Sequence, residues 1–291
     1  MKPSAAVIAA IALHATAQTA AQPPAVFRAG AEAVILDAFV TDGRKPVAGL
    51  AKEDFEVRDN GVVQAILDFS VEQRPLDVRI VVDVSGSMTS ADRASVERAI
   101  AQLSEALDAR DRVEVLTFTA HVRARIPPQP PPLSLSLPPA AAGLGSAVFD
   151  ALLLSLVTPA PAERRELILF MTDGDDTASY FDARIAAETA KHATATATIL
   201  LVSSRASSSA AAGLRAVAAA TGGDLIELKN RNGLSDGFLT ALRESRASYT
   251  IRYAPAGVTA AGWHDVTVRT KASHHRVRAR RGYWAQSGSP R

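Results

Sequence analysis

The feature that most constrains the fold is an alternation of short apolar runs with helical patterns between residues 76 and 246. In the segment after the first run, Val96, Ile100, Leu103 and Leu107 recur at steps of four, three and four, which marks one face of a helix. Strands that alternate with helices predict an α/β fold with a doubly wound, mostly parallel sheet, Rossmann-like in architecture. The runs predicted as strands are Leu76–Val84, Val113–Phe118, Leu167–Met171, Thr198–Val202 and Leu225–Leu228.

Both flanks of this block have strand patterns without intervening helices. Strands are predicted at Val34–Val40, Phe55–Arg58, Val62–Phe69, Tyr249–Tyr253, Trp263–Thr270 and Val277–Trp284. Each flank is too short to bury a core of its own, so we expect the two to pack together as one smaller β-rich lobe. The predicted organisation is a signal peptide at 1–21, a β-rich segment at 22–75, the α/β domain at 76–246 and a second β-rich segment at 247–291.

The first residues have the composition of an export signal. Lys2 precedes a short apolar run, Ala5–Leu13, and small residues follow at 15–17 and 19–21. A basic start, a short apolar stretch and small residues are typical of a secretory signal peptide, which predicts a secreted or periplasmic protein. No later segment reaches the ~20 uncharged residues of a membrane-spanning helix, so no membrane span is expected.

Composition excludes several classes of function. The chain has 32 Lys and Arg against 30 Asp and Glu, a net charge of +2, so no nucleic-acid partner is expected. It has no cysteine, which excludes a thiol nucleophile, a disulfide framework and thiolate metal ligation. It also lacks the Gly-Lys-Ser/Thr sequence of a phosphate-binding loop.

Oxygen-bearing side chains follow three of the predicted elements. Asp83, Ser85 and Ser87 end the first strand of the block, Ser146 precedes a helix, and Asp173 follows the strand 167–171. Ligands of open α/β sheets bind at the carboxyl ends of the strands, so these side chains are expected on one rim. Two carboxylates and three hydroxyls suit a hard divalent cation such as Mg²⁺, and they leave it electrophilic enough to accept an acidic oxygen from a partner.

The sequence DVSGSM at 83–88 resembles the metal-ion-dependent adhesion site (MIDAS) of the von Willebrand factor type A (VWFA) domain. TDG at 172–174 is similar to that family's later aspartate motif, and GSAVFDA at 145–151 to its middle motif, with serine in place of threonine. The flanks at 49–61, 249–255 and 278–285 resemble a bacterial secreted subgroup of the family. The resemblance implies a Rossmann-like adhesion or interaction module without enzyme activity. It also implies that a protein partner supplies a Glu or Asp to Mg²⁺, with Mn²⁺ or Ca²⁺ as possible substitutes; the implied ligands are Asp83, Ser85, Ser87, Ser146 and Asp173.

Two other functions stay open on the sequence. Asp173-Gly174-Asp175-Asp176-Thr177 resembles the first motif of haloacid-dehalogenase-type phosphatases, in which Asp173 would be the nucleophile and Asp175 the general acid and base. The third possibility is a secreted structural scaffold without a working metal site.

Three surface features are also predicted. Asp175 and Asp176 are interpreted as solvated loop acids. Residues 127–142, with seven prolines and no charge, are expected to form a loop that contributes to specificity at the rim. Arg276, Arg278 and Arg280 alternate along the last predicted strand, which indicates a solvated face or a site for an anionic surface.

Overall fold

A computed structural model describes residues 33–43, 45–71, 74–86, 88–139, 145–158, 161, 163–202, 208–259 and 261–285. All of the described residues belong to one compact unit. The segment 1–21, predicted as a signal peptide, lies outside the described residues. Within the described ranges, no helix is both long enough and apolar enough to cross a membrane.

The N-terminal flank consists of strands β1 (Val34–Asp42), β2 (Lys45–Pro46), β3 (Phe55–Asp59), β4 (Val62–Gln64) and β5 (Ile66–Ser70). The middle of the chain then alternates strands with helices: β6 (Leu76–Asp83), α1 (Ser90–Glu105), β7 (Arg112–Phe118), β8 (Val122–Gln129), α2 (Val148–Val157), β9 (Arg165–Thr172), α3 (Ala183–Ala190), β10 (Thr196–Val202), α4 (Ser208–Thr221), β11 (Leu225–Leu228) and α5 (Leu234–Arg246). The C-terminal flank returns to strands, namely β12 (Tyr249–Tyr253), β13 (Gly262–Thr270), β14 (His275–Arg278) and β15 (Gly282–Ala285). Short 3₁₀ turns lie at Lys52–Asp54 and Arg231–Gly233.

The middle strands form a six-stranded sheet in the order β11-β10-β9-β6-β7-β8. Every neighbouring pair is parallel except β7 and β8, so the prediction of an α/β fold with a mostly parallel sheet is confirmed. One face of the sheet buries residues of α1 and α5, and the other buries residues of α2, α3 and α4. Helices on both faces explain why β9 is buried along its whole length and why its central residues 167–171 are all apolar.

The prediction of a loop at 127–142 is partly wrong. Its first residues belong to β8, which pairs antiparallel with β7 at the edge of the sheet. Pro127 and Pro128 are tolerated there because an edge strand leaves one row of its backbone groups outside the sheet. Beyond β8, Leu133 and Leu137 are buried in the same core cluster as α1, so this segment covers the core instead of standing in solvent.

The flanking strands form two further sheets. One has the order β14-β1-β12-β5, with β2 paired to β1, and the other has the order β15-β13-β3-β4. Both sheets therefore combine strands from the two ends of the chain, and their apolar faces share one buried cluster. The strand expected at Val62–Phe69 is in fact two strands, since β4 pairs with β3 whereas β5 pairs with β12. Whether these sheets constitute a separate lobe, with the domain boundaries given above, stays a prediction.

A buried carboxylate, Asp59, lies at the centre of the flanking sheets. It is 0% exposed, and its two oxygens lie 2.7 Å from His264 Nδ1 and 2.9 Å from the Tyr253 hydroxyl. The Tyr283 hydroxyl donates a third hydrogen bond, at 2.8 Å. Burial, together with the nearby Asp59 charge, raises the pKa of Tyr253 and of Tyr283, so both hydroxyls keep their hydrogens and remain donors.

Arginine side chains connect the flanks to the central sheet. Arg165, at the start of β9, donates to Asp37 Oδ1 and to Thr250 Oγ1, each at 2.9 Å. Arg278 pairs with Asp224 and with Glu244. Arg280 is half-buried and donates to the Gly282 and Lys191 carbonyls, and burial lowers its pKa. The interpretation of the last arginine strand as a solvated face is therefore wrong for Arg278 and Arg280, while Arg276 is exposed.

Candidate metal centre

Two neighbouring strands bring Asp83 and Thr172 together. Asp83 ends β6 and Thr172 ends β9, and the two strands are parallel and paired up to Val82 and Met171. The Thr172 hydroxyl donates to Asp83 Oδ2 at 2.9 Å and accepts a hydrogen bond from the Gly174 backbone at 2.9 Å. The central sheet thus fixes the Asp83 carboxylate, and the start of the loop that follows β9, at the carboxyl ends of its strands.

Ser146 reaches the same carboxylate from the segment that precedes α2. Its Oγ lies 2.9 Å from Asp83 Oδ1 and 3.0 Å from Oδ2, and its side chain is buried. The next residue, Ala147, donates its backbone N–H to the Thr119 carbonyl at 2.8 Å, which ties this segment to the end of β7. A hydroxyl that donates its hydrogen to a carboxylate keeps its lone pairs for another partner, such as a cation.

The loop from Asp173 to Asp182, termed here the aspartate loop, packs tightly against the Ser146 segment. Thr177 and Ala178 donate their backbone N–H groups to the Ser146 carbonyl, and Thr177 Oγ1 accepts from the Ser146 N–H. A side chain at Gly145 would lie 2.7 Å from Thr177 Oγ1, so only glycine permits this approach. Gly174, at φ +82°, turns the chain out of β9 in the left-handed region that favours glycine.

Asp176 and Ser179 anchor the aspartate loop to the first turn of α2. The Asp176 carboxylate accepts from the Val148 N–H at 2.9 Å, and Ser179 Oγ accepts from the Phe149 N–H at 3.0 Å. Acceptors at a helix N-terminus satisfy N–H groups that have no partner within the helix. The interpretation of Asp176 as a solvated acid is therefore wrong, whereas Asp175 is exposed as expected.

The electrostatics of the rim are unfavourable for an isolated pair of carboxylates. Asp83 is 2% exposed and Asp173 is 9% exposed. Burial, and secondarily the charge of Asp173, raises the pKa of Asp83, although hydrogen bonds from Ser85 and Thr172 oppose this effect. A cation at this position would compensate both the burial of the Asp83 charge and its repulsion by Asp173.

The structure brings together most of the residues that the sequence predicts for the site. Asp83 contacts Ser146, accepts a hydrogen bond from the Ser85 N–H at 3.1 Å, and interacts electrostatically with Asp173. Ser87 lies outside the described residues. Thr172, Thr177 and Ser179 have no predicted role, and their signal in the sequence is that short hydroxyl residues surround the predicted acids.

The donor set fits a hard divalent cation. Within the described ranges, no three His, Asp or Glu side chains form a group that could hold a metal ion. The rim instead combines the carboxylates of Asp83 and Asp173 with hydroxyl groups, all of them oxygen donors of the kind that Mg²⁺ and Ca²⁺ prefer. A cation here would therefore depend on serine hydroxyls as well as on carboxylates.

A doubly wound sheet with hydroxyl and carboxylate side chains at the carboxyl ends of its strands defines an α/β protein, a class in which ligands commonly bind at the strand ends. No family model and no curated protein matches the chain. Among solved structures, proximal thread matrix protein 1 from the mussel byssus is 12% identical with a TM-score of 0.50, over 59% of this chain and 48% of that chain.

Structures with VWFA folds are also similar to the chain. They include a von Willebrand factor type A protein from Catenulispora acidiphila, at 12% identity and a TM-score of 0.46, over 89% of this chain and 76% of that one. Another is the ArnB paralog VWA2 from Sulfolobus acidocaldarius, at 11% identity and a TM-score of 0.48, over 86% and 75% of the two chains. At these identities and TM-scores the likeness concerns the fold alone, and membership of the VWFA family stays a prediction from the motifs.

Proposed function

We propose that this chain is a metal-dependent binding module whose rim captures an acidic group of a protein partner. The observation that carries the proposal is the buried Asp83 carboxylate, which lies beside a second acid and is surrounded by hydroxyl groups. Such an arrangement is costly to fold unless a cation compensates the negative charge. The VWFA-like fold agrees with an interaction module.

In this proposal, Ser85, Ser87 and Ser146 hold Mg²⁺ through their hydroxyls, and Asp83 and Asp173 hold it directly or through water. When bound, the ion supplies positive charge and an open coordination position for a Glu or Asp of the partner. Thr172 and Ser146 orient Asp83 through their hydrogen bonds. The contacts between the aspartate loop and the Ser146 segment keep the two sides of the rim in register.

Export and the lobe organisation belong to the same proposal. The N-terminal segment would direct the protein to the periplasm or the medium, where an adhesion module can meet its partner. The flanking sheets would act as one β-rich lobe that holds the base of the α/β domain, with Arg165 and Arg278 as the connecting ion pairs. No bond has to be broken at the rim, so we expect no enzyme activity.

Isothermal titration calorimetry of the full chain with MgCl₂ and MnCl₂ tests the metal site. One site per chain is expected, and Asp83→Ala should abolish it. Asp175→Ala is the matched control, because Asp175 lies in the same loop but is exposed, and it should bind the ion nearly as the wild type does.

The same variants separate the alternatives. If the wild type binds neither ion at millimolar concentration, the proposal is wrong and the scaffold function gains support. A phosphatase assay that shows turnover, lost in Asp173→Asn, would replace the binding function with the enzyme.

A further inference from the structure

Two neighbouring aromatic side chains stand exposed on the aspartate loop. Tyr180 is 89% exposed and Phe181 is 46% exposed, although large apolar side chains are usually withdrawn from water. They lie seven and eight residues after Asp173, on the loop that leads away from the candidate metal centre. Exposed aromatic residues of this kind are typical of binding surfaces.

Hydrogen bonds fix the backbone that carries this aromatic pair. The Tyr180 and Phe181 N–H groups donate to the two oxygens of the Asp150 carboxylate, each at 2.9 Å. Asp150 lies in the first turn of α2, four residues after Ser146. Because Asp150 lies so close to Ser146 in the chain, the backbone of the aromatic pair keeps a defined spacing from the rim, and little backbone entropy remains to be lost on binding.

The charge of the aspartate loop restricts what the aromatic pair can bind. Residues 173–182 contain four aspartates and no lysine or arginine. An acidic partner is repelled by this loop unless a divalent cation compensates the charge, and an anionic membrane is disfavoured for the same reason. An acid of the partner can therefore bind beside this loop only on the cation of the proposed function, whereas the aromatic pair itself favours an uncharged apolar side chain.

We infer that Tyr180 and Phe181 form an apolar docking surface for a peptide segment in which an aliphatic or aromatic residue lies close to the acid bound at the rim. This inference rests on the proposed function, because the acid needs the metal centre. The acid supplies charge recognition, and the apolar neighbour supplies buried contact area with the aromatic pair.

Selection from a phage-displayed library of random twelve-residue peptides tests the inference. The full chain is immobilised in Mg²⁺, and bound phage are eluted with EDTA. The expected peptides carry Glu or Asp within three positions of a Leu, Ile, Phe or Trp. Synthetic versions should bind the double variant Tyr180→Ser/Phe181→Ser about 30-fold more weakly than the wild type.

Two controls keep this result distinct from the metal proposal. The double variant should bind Mg²⁺ within twofold of the wild type, which also confirms that it is folded. Val157→Ser removes an exposed apolar side chain at the far end of α2 and should leave peptide binding unchanged.

Selected peptides that are acidic without an apolar residue, or that bind the double variant as they bind the wild type, overturn the docking surface but leave the metal proposal intact. Failure to select any peptide from Mg²⁺-loaded protein overturns it as well, as does metal-independent binding to anionic phosphatidylglycerol vesicles that is lost in the double variant. Absence of Mg²⁺ binding by the wild type defeats the metal proposal itself, and the inference with it.

Discussion

Asp59 in the flanking sheets and Asp83 at the rim are both buried carboxylates, but their surroundings differ in kind. Asp59 faces His264 and two tyrosine hydroxyls, and it lies inside a closed core. Asp83 also accepts hydrogen bonds, yet a second acid, Asp173, raises the free energy of its charged form. Hydrogen bonds from the protein can thus satisfy a buried structural carboxylate, whereas a buried carboxylate beside a second acid at the strand ends keeps an unfavourable charge that a cation would compensate.

The largest expected effect tests the structural side of this comparison. Asp59→Ala leaves His264, Tyr253 and Tyr283 without their shared acceptor, and it should lower the free energy of unfolding by about 3–5 kcal/mol. The loss should be the same with and without Mg²⁺. Urea unfolding measures it, with Asp68→Ala, an exposed acid on β5, as the control. A loss that Mg²⁺ reverses would show that Asp59 is not a purely structural carboxylate.

The next effect tests the rim. At a Mg²⁺ concentration of 100 times the dissociation constant, a ligand that binds only the folded state stabilises it by about 2.7 kcal/mol. We expect this increment in the wild type and a much smaller one in Ser146→Ala, which loses a predicted ligand and a donor to Asp83. Urea unfolding in Mg²⁺ and in EDTA provides the measurement, and equal increments in both proteins would remove Ser146 from the site.

A pH titration sharpens the contrast further. Because the folded pKa of Asp83 is raised, the folded state binds its proton more tightly than the unfolded state does. The metal-free wild type should therefore lose stability relative to Asp83→Asn as pH rises from the ordinary aspartate pKa towards the raised one. The slope should be at most about 1.4 kcal/mol per pH unit. Mg²⁺ should restore the stability of the wild type above this window, and a stability difference that does not vary with pH would contradict the prediction.

The smallest effect concerns one donor of the structural carboxylate. Tyr253→Phe removes one hydrogen bond to Asp59 while His264 and Tyr283 remain, so we expect a loss of about 0.5–1.5 kcal/mol. Thermal unfolding at several pH values gives the measurement. A loss as large as that of Asp59→Ala would mean that the three donors act as one unit.

The sequence was sufficient for the five parallel strands of the central sheet because they are apolar and short, but it did not predict β8, the antiparallel edge strand whose end lies in the proline-rich segment. β9 is recognised as a strand from the unbroken apolar run at residues 167–171 within it. The flanks were harder, since a single predicted strand at 62–69 became two strands in different sheets. The alternation of apolar and polar side chains predicts that a segment is a strand, but it does not predict which strand it pairs with.

Rim residues were predictable where an acidic residue comes at the end of an apolar strand, as for Asp83 and Asp173. The supporting contacts were not predictable, because they depend on the approach of one loop to another. Asp176 reads as a solvated acid until the first turn of α2 is placed beside it. Ser146 is more securely fixed than its isolated sequence indicates, since the carboxylate of Asp83 and the Thr177 side chain hold it from two sides.

The pairing of Ser70 with Thr250 determines how a mechanical force applied at the rim would pass to the flanking sheets. The chain leaves the flanking sheets after β5 and returns to them at β12, so two adjacent strands, together with the ion pairs of Arg165 and Arg278, join the flanking sheets to the central sheet. β6 spans about 20 Å from its first residue to the rim. A force applied to a partner at the rim would pull β5 and β12 in the same direction. The hydrogen bonds between these two strands would therefore not be sheared. The shear would fall on the hydrogen bonds between β12 and β1.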